Sequence, residues 1–255
     1  MDQTVLGGMR AGFVQIAGEY AERLGQRREH IVLKRDHSLR VHALAAKIVA
    51  RESISPPGPY LAAALVHDIG RFSQFERFGT YRDDESVDHG DEGADFLRRV
   101  DFLYAFDPPV RESVIEAVRL HNKREIPLGL DPLTRSLCTV VRDADKLDIV
   151  RVILSRLGAA GPVDGVVTLG LADEPKAWTQ AIVEAVAGGE SPAYADLRYI
   201  NDFKLLLASW GPKLVHGASR RIFAGRGYLD RLFALLPRTD RFVGLKVRLA
   251  ADLDR

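Results

Sequence analysis

Along most of the chain, apolar residues recur every three to four positions, and the runs that carry this period are bounded by proline, glycine or a capping residue. Residues 10 to 28 and 31 to 51 contain no proline, so both are predicted as helices. In the second, His37, Val41, Leu44 and Ile48 share one face, which turns His37 inward; His42 lies about 140° round the helix, off that face. SPPGP at 55 to 59 interrupts the pattern. An apolar run from Tyr60 to about Asp68 predicts the next helix, with Gly70 as its stop signal. Residues 71 to 85, rich in aromatic and charged side chains, read as a loop able to fold over a site.

Ser86 is expected to cap the following helix, with Asp88 in its first turn and His89, Gly93, Phe96 and Val100 along one side. Pro108 and Pro109 open another helix, in which Val110, Val114, Ala117 and His121 line up. Asp131 before Pro132 marks the start of a long helix with Cys138, Val141, Asp145 and Ile149 on one face. Beyond residue 158, GAAGPVDG and the short VVTLGL run suggest a turn or a strand pair, followed by helices over 174–187, 198–210, 226–236 and after Arg241. No internal repeat or low-complexity tract is present. The expected fold class is all-α, with a helical domain over 1–158 and a mostly helical C-terminal extension over 159–255 packed on the same core.

Composition narrows the function classes. Apolar residues make up 46% of the 255 positions and charged residues 28%, an ordinary globular balance. With 36 basic against 35 acidic residues, the net charge of +1 creates no global field for nucleic acid or anionic membrane. Neither is expected as a partner. Basic residues such as Lys213, Arg220 and Arg221 are read as a solvated face. No apolar run reaches the roughly 18 residues of a membrane span, no secretion signal is legible, and the single Cys138 suits a reducing compartment, so a cytoplasmic location is expected. Cys138 itself reads as a small core residue.

The chemistry lies in what the helices turn inward. His37, His67, Asp68, His89, His121 and Asp145 each fall on an apolar face or at the end of an apolar run. One such histidine is ordinarily a hydrogen-bonded core residue. Burying an unpartnered polar group costs roughly 1–3 kcal/mol, and four imidazoles with two carboxylates are hard to satisfy by mutual hydrogen bonds alone. A bound metal absorbs them all.

"DHSLRV" around His37, "LVHDIGRF" with His67 and Asp68, and "RDADKLD" with Asp145 resemble the HD-domain superfamily of metal-dependent phosphohydrolases, over roughly residues 25 to 155. The resemblance implies an HD-type helical bundle in which His37, His67, Asp68 and Asp145 bind a divalent metal. Members with further histidines before the last aspartate bind two ions, and His89 in "VDHGDEGADFL" and His121 in "RLHNKREIP" occupy that place. A dinuclear site is therefore expected, with Asp68 as bridging and catalytic residue, His37, His67 and Asp145 on one ion, and His89 and His121 on the other. The mixed nitrogen and oxygen set suits iron, manganese, nickel or cobalt, with magnesium a further candidate.

The implied reaction is hydrolysis of a phosphate ester of a nucleotide or other small phosphorylated molecule by a metal-bound hydroxide. Arg71 is the first candidate for a phosphate contact, ahead of Lys123 and Lys146, and Gln74 is a candidate for substrate or water. Two branches of the superfamily are set aside. "LHNKREIP" lacks the double histidine and Gly-Tyr-Pro signature of the cyclic-di-nucleotide phosphodiesterases, and Ile69-Gly70-Arg71 stands where the alarmone hydrolases carry an acidic pair. Two alternatives stay open: a diiron oxygenase, which uses the same ligand order, and a ligand-binding regulator without turnover. His30 and His42 are read as a helix-start residue and a peripheral residue, and Asp143 and Asp148 as flanking Asp145 without its role. The oligomeric state is not legible.

Overall fold

The computed structural model describes residues 3–158 and 170–253. Their regular structure is helical, with an isolated bridge between Ala172 and Tyr199 as the one sheet-like pairing among the described residues. The turn or strand pair expected after residue 158 falls almost entirely outside them. The chain divides into two compact units, Met1–Asp148 and Ile149–Arg255.

In the first unit, α1 (Gln3–Leu24) and α2 (Arg28–Arg51) are linked by a 3-10 turn at Gly25–Arg27. α2 buries Ile31, His37, Val41, Leu44 and Ile48, the face set by the apolar period. α3 (Gly58–Val66) carries apolar residues all round, and from Tyr60 only Leu61 is not fully buried. A short helix with no polar face must sit in the middle of its unit. It packs against α1, α2 and α6 (Pro108–Leu120).

Three expectations for the next segment are corrected. The helix ends at Val66, and Gly70 opens α4 (Gly70–Phe78), where a loop was expected. Phe72 and Phe75 drive this: both are buried, Phe72 beside the rings of Phe13 and Tyr20 and Phe75 beside His30 and Tyr81. Gly79, at φ 69°, ends α4 in the left-handed conformation that a side chain disfavours. Finally, Asp88 rather than Ser86 caps α5 (His89–Arg99), accepting from the amides of Gly90 and Asp91. The Ser86 hydroxyl is instead bonded within the preceding loop, to Arg82 O and Gln74.

α7 (Pro132–Leu157) starts as expected, with Asp131 Oδ1 accepting from the Thr134 amide at 2.9 Å. The division by packing falls inside α7.

The second unit contains α8 (Gln180–Ala187), α9 (Ile200–Trp210), α10 (Gly217–Gly225), α11 (Tyr228–Ala234) and α12 (Asp240–Leu253). α9 is buried along its whole length and packs on α8 and α11. Its first turn is locked by Asp202, which accepts from the amides of Thr179, Arg198 and Tyr199 and from the Thr179 hydroxyl. Two expectations change here. The helix foreseen from 174 begins at Gln180, and α10 was not foreseen, because its short apolar pattern lies between glycines.

Candidate metal centre

The ends of two helices supply half of the centre's imidazoles. The last carbonyls of an α-helix have no partner within it, and His67 and His121 are the residues immediately after α3 and α6. Each imidazole bonds back through Nδ1 to such a carbonyl, His67 to Ala64 O at 2.9 Å and His121 to Val118 O at 2.6 Å. A carbonyl only accepts, so Nδ1 carries the proton and each Nε2 presents a lone pair. The other two imidazoles are held by carboxylates. His37 Nδ1 lies 2.8 Å from Asp148 Oδ2, and His89 Nδ1 lies 2.6 Å from Asp83 Oδ2.

The four Nε2 atoms converge on Asp68, in the turn between α3 and α4. Its two oxygens face different pairs: Oδ2 lies 3.7 Å from both His37 Nε2 and His67 Nε2, whereas Oδ1 lies 3.4 Å from His89 Nε2 and 3.6 Å from His121 Nε2. Asp145 joins the first pair, with Oδ1 3.0 Å from His37 Nε2 and 3.6 Å from His67 Nε2. Two overlapping sets have donor atoms mutually within 4.8 Å, His37 with His67 and Asp145, and His67 with Asp68 and His121. His67 thus belongs to both, and His89 stands at the far end, with Nε2 3.1 Å from His121 Nε2.

The donors fit a cation. His67 Nε2 is buried without a hydrogen-bond partner, which native proteins rarely leave so. The Nε2 atoms of His89 and His121 point lone pair at lone pair, an arrangement that only a shared proton or a cation satisfies. Burial, and next the charge of Arg71, push the His89 imidazole down to about 3 despite its bond to Asp83. His89 is therefore a neutral donor at any ordinary pH. Burial works to raise the Asp68 carboxyl, but the Lys34 ammonium, then His67, His121 and Arg71, hold it well below the usual carboxylate range. Asp145 is likewise held low, against burial, by His37 and His67. Both acids are present as carboxylates.

Of the expected substrate contacts, Arg71 reaches the centre, with Nε 3.6 Å from Asp68 Oδ1, but its Nη1 donates to Gln74 Oε1, Tyr81 O and Asp83 Oδ1. Gln74 is fully buried, and its amide donates to Asp83, Ser86 and the Val87 carbonyl, which ties down the loop before α5. Lys123 is paired with Asp88 and Asp91 at the start of α5. Lys146 lies on α7 beside Asp145, partly buried.

Three residues near the centre were not singled out by sequence. Lys34, one turn before His37, puts Nζ 2.8 Å from Asp68 Oδ2 and 5.3 Å from the centre of the Tyr81 ring. Asp148, set aside as a mere neighbour of Asp145, is the partner of His37 and is itself held by Arg40 Nε at 2.9 Å. Spacing could have found both, since each lies three residues from a ligand candidate on the same helix. Asp83 had no such signal, because nothing local separates it from the acidic residues that follow.

A helical unit that gathers four imidazoles and two carboxylates at one point defines a domain able to hold a metal. The family model of the HD domain matches residues 35–149, which hold all six of these residues, and the chain carries a domain of the HD superfamily, whose members are mostly metal-dependent hydrolases. In comparisons with curated proteins and with solved structures, nothing matches.

Proposed function

We propose that the chain is a metal-dependent phosphohydrolase with a dinuclear centre. Asp68 would bridge the ions, His37, His67 and Asp145 would complete one position, and His89 and His121 the other. The observation that carries this reading is the division of the Asp68 carboxylate, whose two oxygens face two separate histidine pairs. Four imidazoles favour iron, manganese, cobalt or nickel over magnesium. Such ions supply Lewis acidity and bring the pKa of a water towards neutrality.

The protein's own groups set what can react there. Lys34 and Arg71 flank Asp68, one on each oxygen, and both lie within 6 Å of the Tyr81 ring centre. Two cations beside the centre favour an anionic substrate, which supports a phosphate ester of a nucleotide or other small molecule over a neutral one. Of the two, Lys34 has the more accessible side chain, 20% against 14%. An ammonium with three donors and one carboxylate partner among its hydrogen bonds is suited to meet a phosphoryl oxygen. Buried Asp68 orients the reacting groups, and the fixed imidazoles need no rearrangement as charge develops.

The deciding test is elemental analysis of protein purified without chelator or affinity metal, followed by a phosphate-ester panel and oxygen uptake on the same sample. Two transition-metal ions per chain with phosphate release is the expected result. Oxygen consumption without phosphate release would assign the centre to an oxygenase instead, and ions without either activity would make it a regulatory site.

A further inference from the structure

The two metal positions rest on different supports. In the first, the outer nitrogen of His37 is held by Asp148, whose side chain is 1% exposed and clamped by Arg40. In the second, the outer nitrogen of His89 is held by Asp83, from a 3-10 turn at Asp83–Glu85, with a side chain 31% exposed. One support is buried on a long helix. The other belongs to the loop between α4 and α5.

Asp83 does more than touch His89. Its Oδ1 accepts from Arg71 Nη1 at 2.8 Å and Gln74 Nε2 at 2.9 Å, and its Oδ2 accepts from His89 Nδ1 at 2.6 Å and Asn122 Nδ2 at 3.1 Å. Four donors saturate the carboxylate, which has no proton to give. The His89 proton must therefore sit on Nδ1, and Nε2 is left as a lone pair aimed at Asp68 Oδ1 and His121 Nε2. The remaining donors pin Asp83 from α4 on one side and from the turn after α6 on the other. No other carboxylate bonds His89 Nδ1 among the described residues.

We infer that Asp83 is a positioning residue that fixes the tautomer and direction of His89 and thereby sets the affinity of the second metal position separately from the first. This rests on the two-ion reading above. An asparagine at 83 would offer one acceptor oxygen in place of two and would turn an NH2 towards either His89 or Arg71. His89 would then be free to carry its proton on Nε2, where it blocks a metal. His37, with Asp148 and Arg40 intact, would be unaffected. Loss of an outer partner of a ligating histidine typically costs about 10–100-fold in metal affinity.

The experiment is calorimetric titration of the chelator-stripped full chain with Co2+, comparing wild type, Asp83→Asn and Asp148→Asn, with circular dichroism to verify folding. Two events are expected for wild type. Asp83→Asn should keep one event and weaken the other by about 10–100-fold, and Asp148→Asn should weaken the event that Asp83→Asn keeps. Adding Asp83→Asn to His89→Ala should change nothing further, a non-additivity that a purely structural residue would not show. A second event unchanged in Asp83→Asn overturns the role of Asp83 and leaves the two-ion reading standing. A single event in wild type overturns the two-ion reading and this inference with it. Should Asp83→Asn fail to fold, imidazole proton spectra of the unaltered chain carry the test: a slowly exchanging Nδ1 proton missing from His89→Ala is expected, and its absence overturns the inference.

Discussion

Gly70 lies directly against the backbone of His89. A Cβ at position 70 would meet the His89 carbonyl oxygen at a forbidden distance and the Gly93 amide nitrogen at 2.6 Å. No flexible side chain can yield there, since both contacts are with main chain. The start of α4 can therefore approach α5 only because residue 70 has no side chain, and that approach sets where His89 enters the centre. Gly70→Ala should cost about 1–3 kcal/mol, the usual range for overpacking, and should also lower occupancy by the second ion. Urea unfolding and metal content check the two parts; an unchanged midpoint would contradict the close packing.

Asp68 is the single residue shared by both proposed positions. Asp68→Ala should lose both ions and the associated activity, measured by elemental analysis and by phosphate release. His42→Ala is the control. Its imidazole is bonded to Leu61 O at 2.9 Å rather than to any of the six ligand candidates, so both ions should stay. Full activity in Asp68→Ala would refute the assignment.

The pH dependence of stability should carry a contribution from His42. Burial, opposed by the bond to Leu61 O and aided by Arg10, lowers its pKa from the ordinary 6.5. Between the lowered value and about 6.5, the unfolded chain binds more protons than the folded one, so stability rises with pH in that window and is lost as pH falls through it. His42→Gln, which can still donate to Leu61 O, should flatten that dependence. The comparison is the shift in urea midpoint between about pH 7.5 and about pH 5 for metal-free wild type and variant; equal shifts would contradict the prediction.

Metal removal should weaken the protein without unfolding it. A ligand present at about a thousand times its Kd stabilises the native state by roughly 4 kcal/mol, so a chelator should lower the melting temperature by several degrees. The metal-free chain should stay folded, because the Lys34 ammonium, 2.8 Å from Asp68 Oδ2, already compensates the more buried of the two carboxylates proposed as ligands. Lys34→Met should make the metal-free form markedly less stable, and scanning calorimetry with and without chelator reads both effects. Identical melting curves for the two metal-free proteins would remove Lys34 from this role.

Much of the helical framework can be read from residue order alone. The period through His37, Val41, Leu44 and Ile48 puts all four in the core, and Asp131 with Pro132 marks the start of α7 to the residue. Errors concentrate where tertiary contacts override local signals. The segment after Gly70 looks like a charged loop, yet two phenylalanines one turn apart fold it as α4 once there is a core to receive them. Gly70 reads locally as a helix stop, but the backbone of a helix some twenty residues on is the reason it is glycine.

What residue order by itself determined is which metal-competent side chains turn inward. Helical periodicity and the ends of apolar runs fix the direction in which a side chain leaves its own helix, and that suffices to turn six metal-competent residues inward. Only the tertiary structure decided which of them meet, that the two Asp68 oxygens face separate histidine pairs, and which nitrogen each imidazole presents. It also decided that Gln74 and most of Arg71 are engaged by the loop around Asp83, while Lys34 stands at Asp68. The physical reason is that periodicity carries no distance between helices, and no record of which acceptors compete for a donor once the chain has closed.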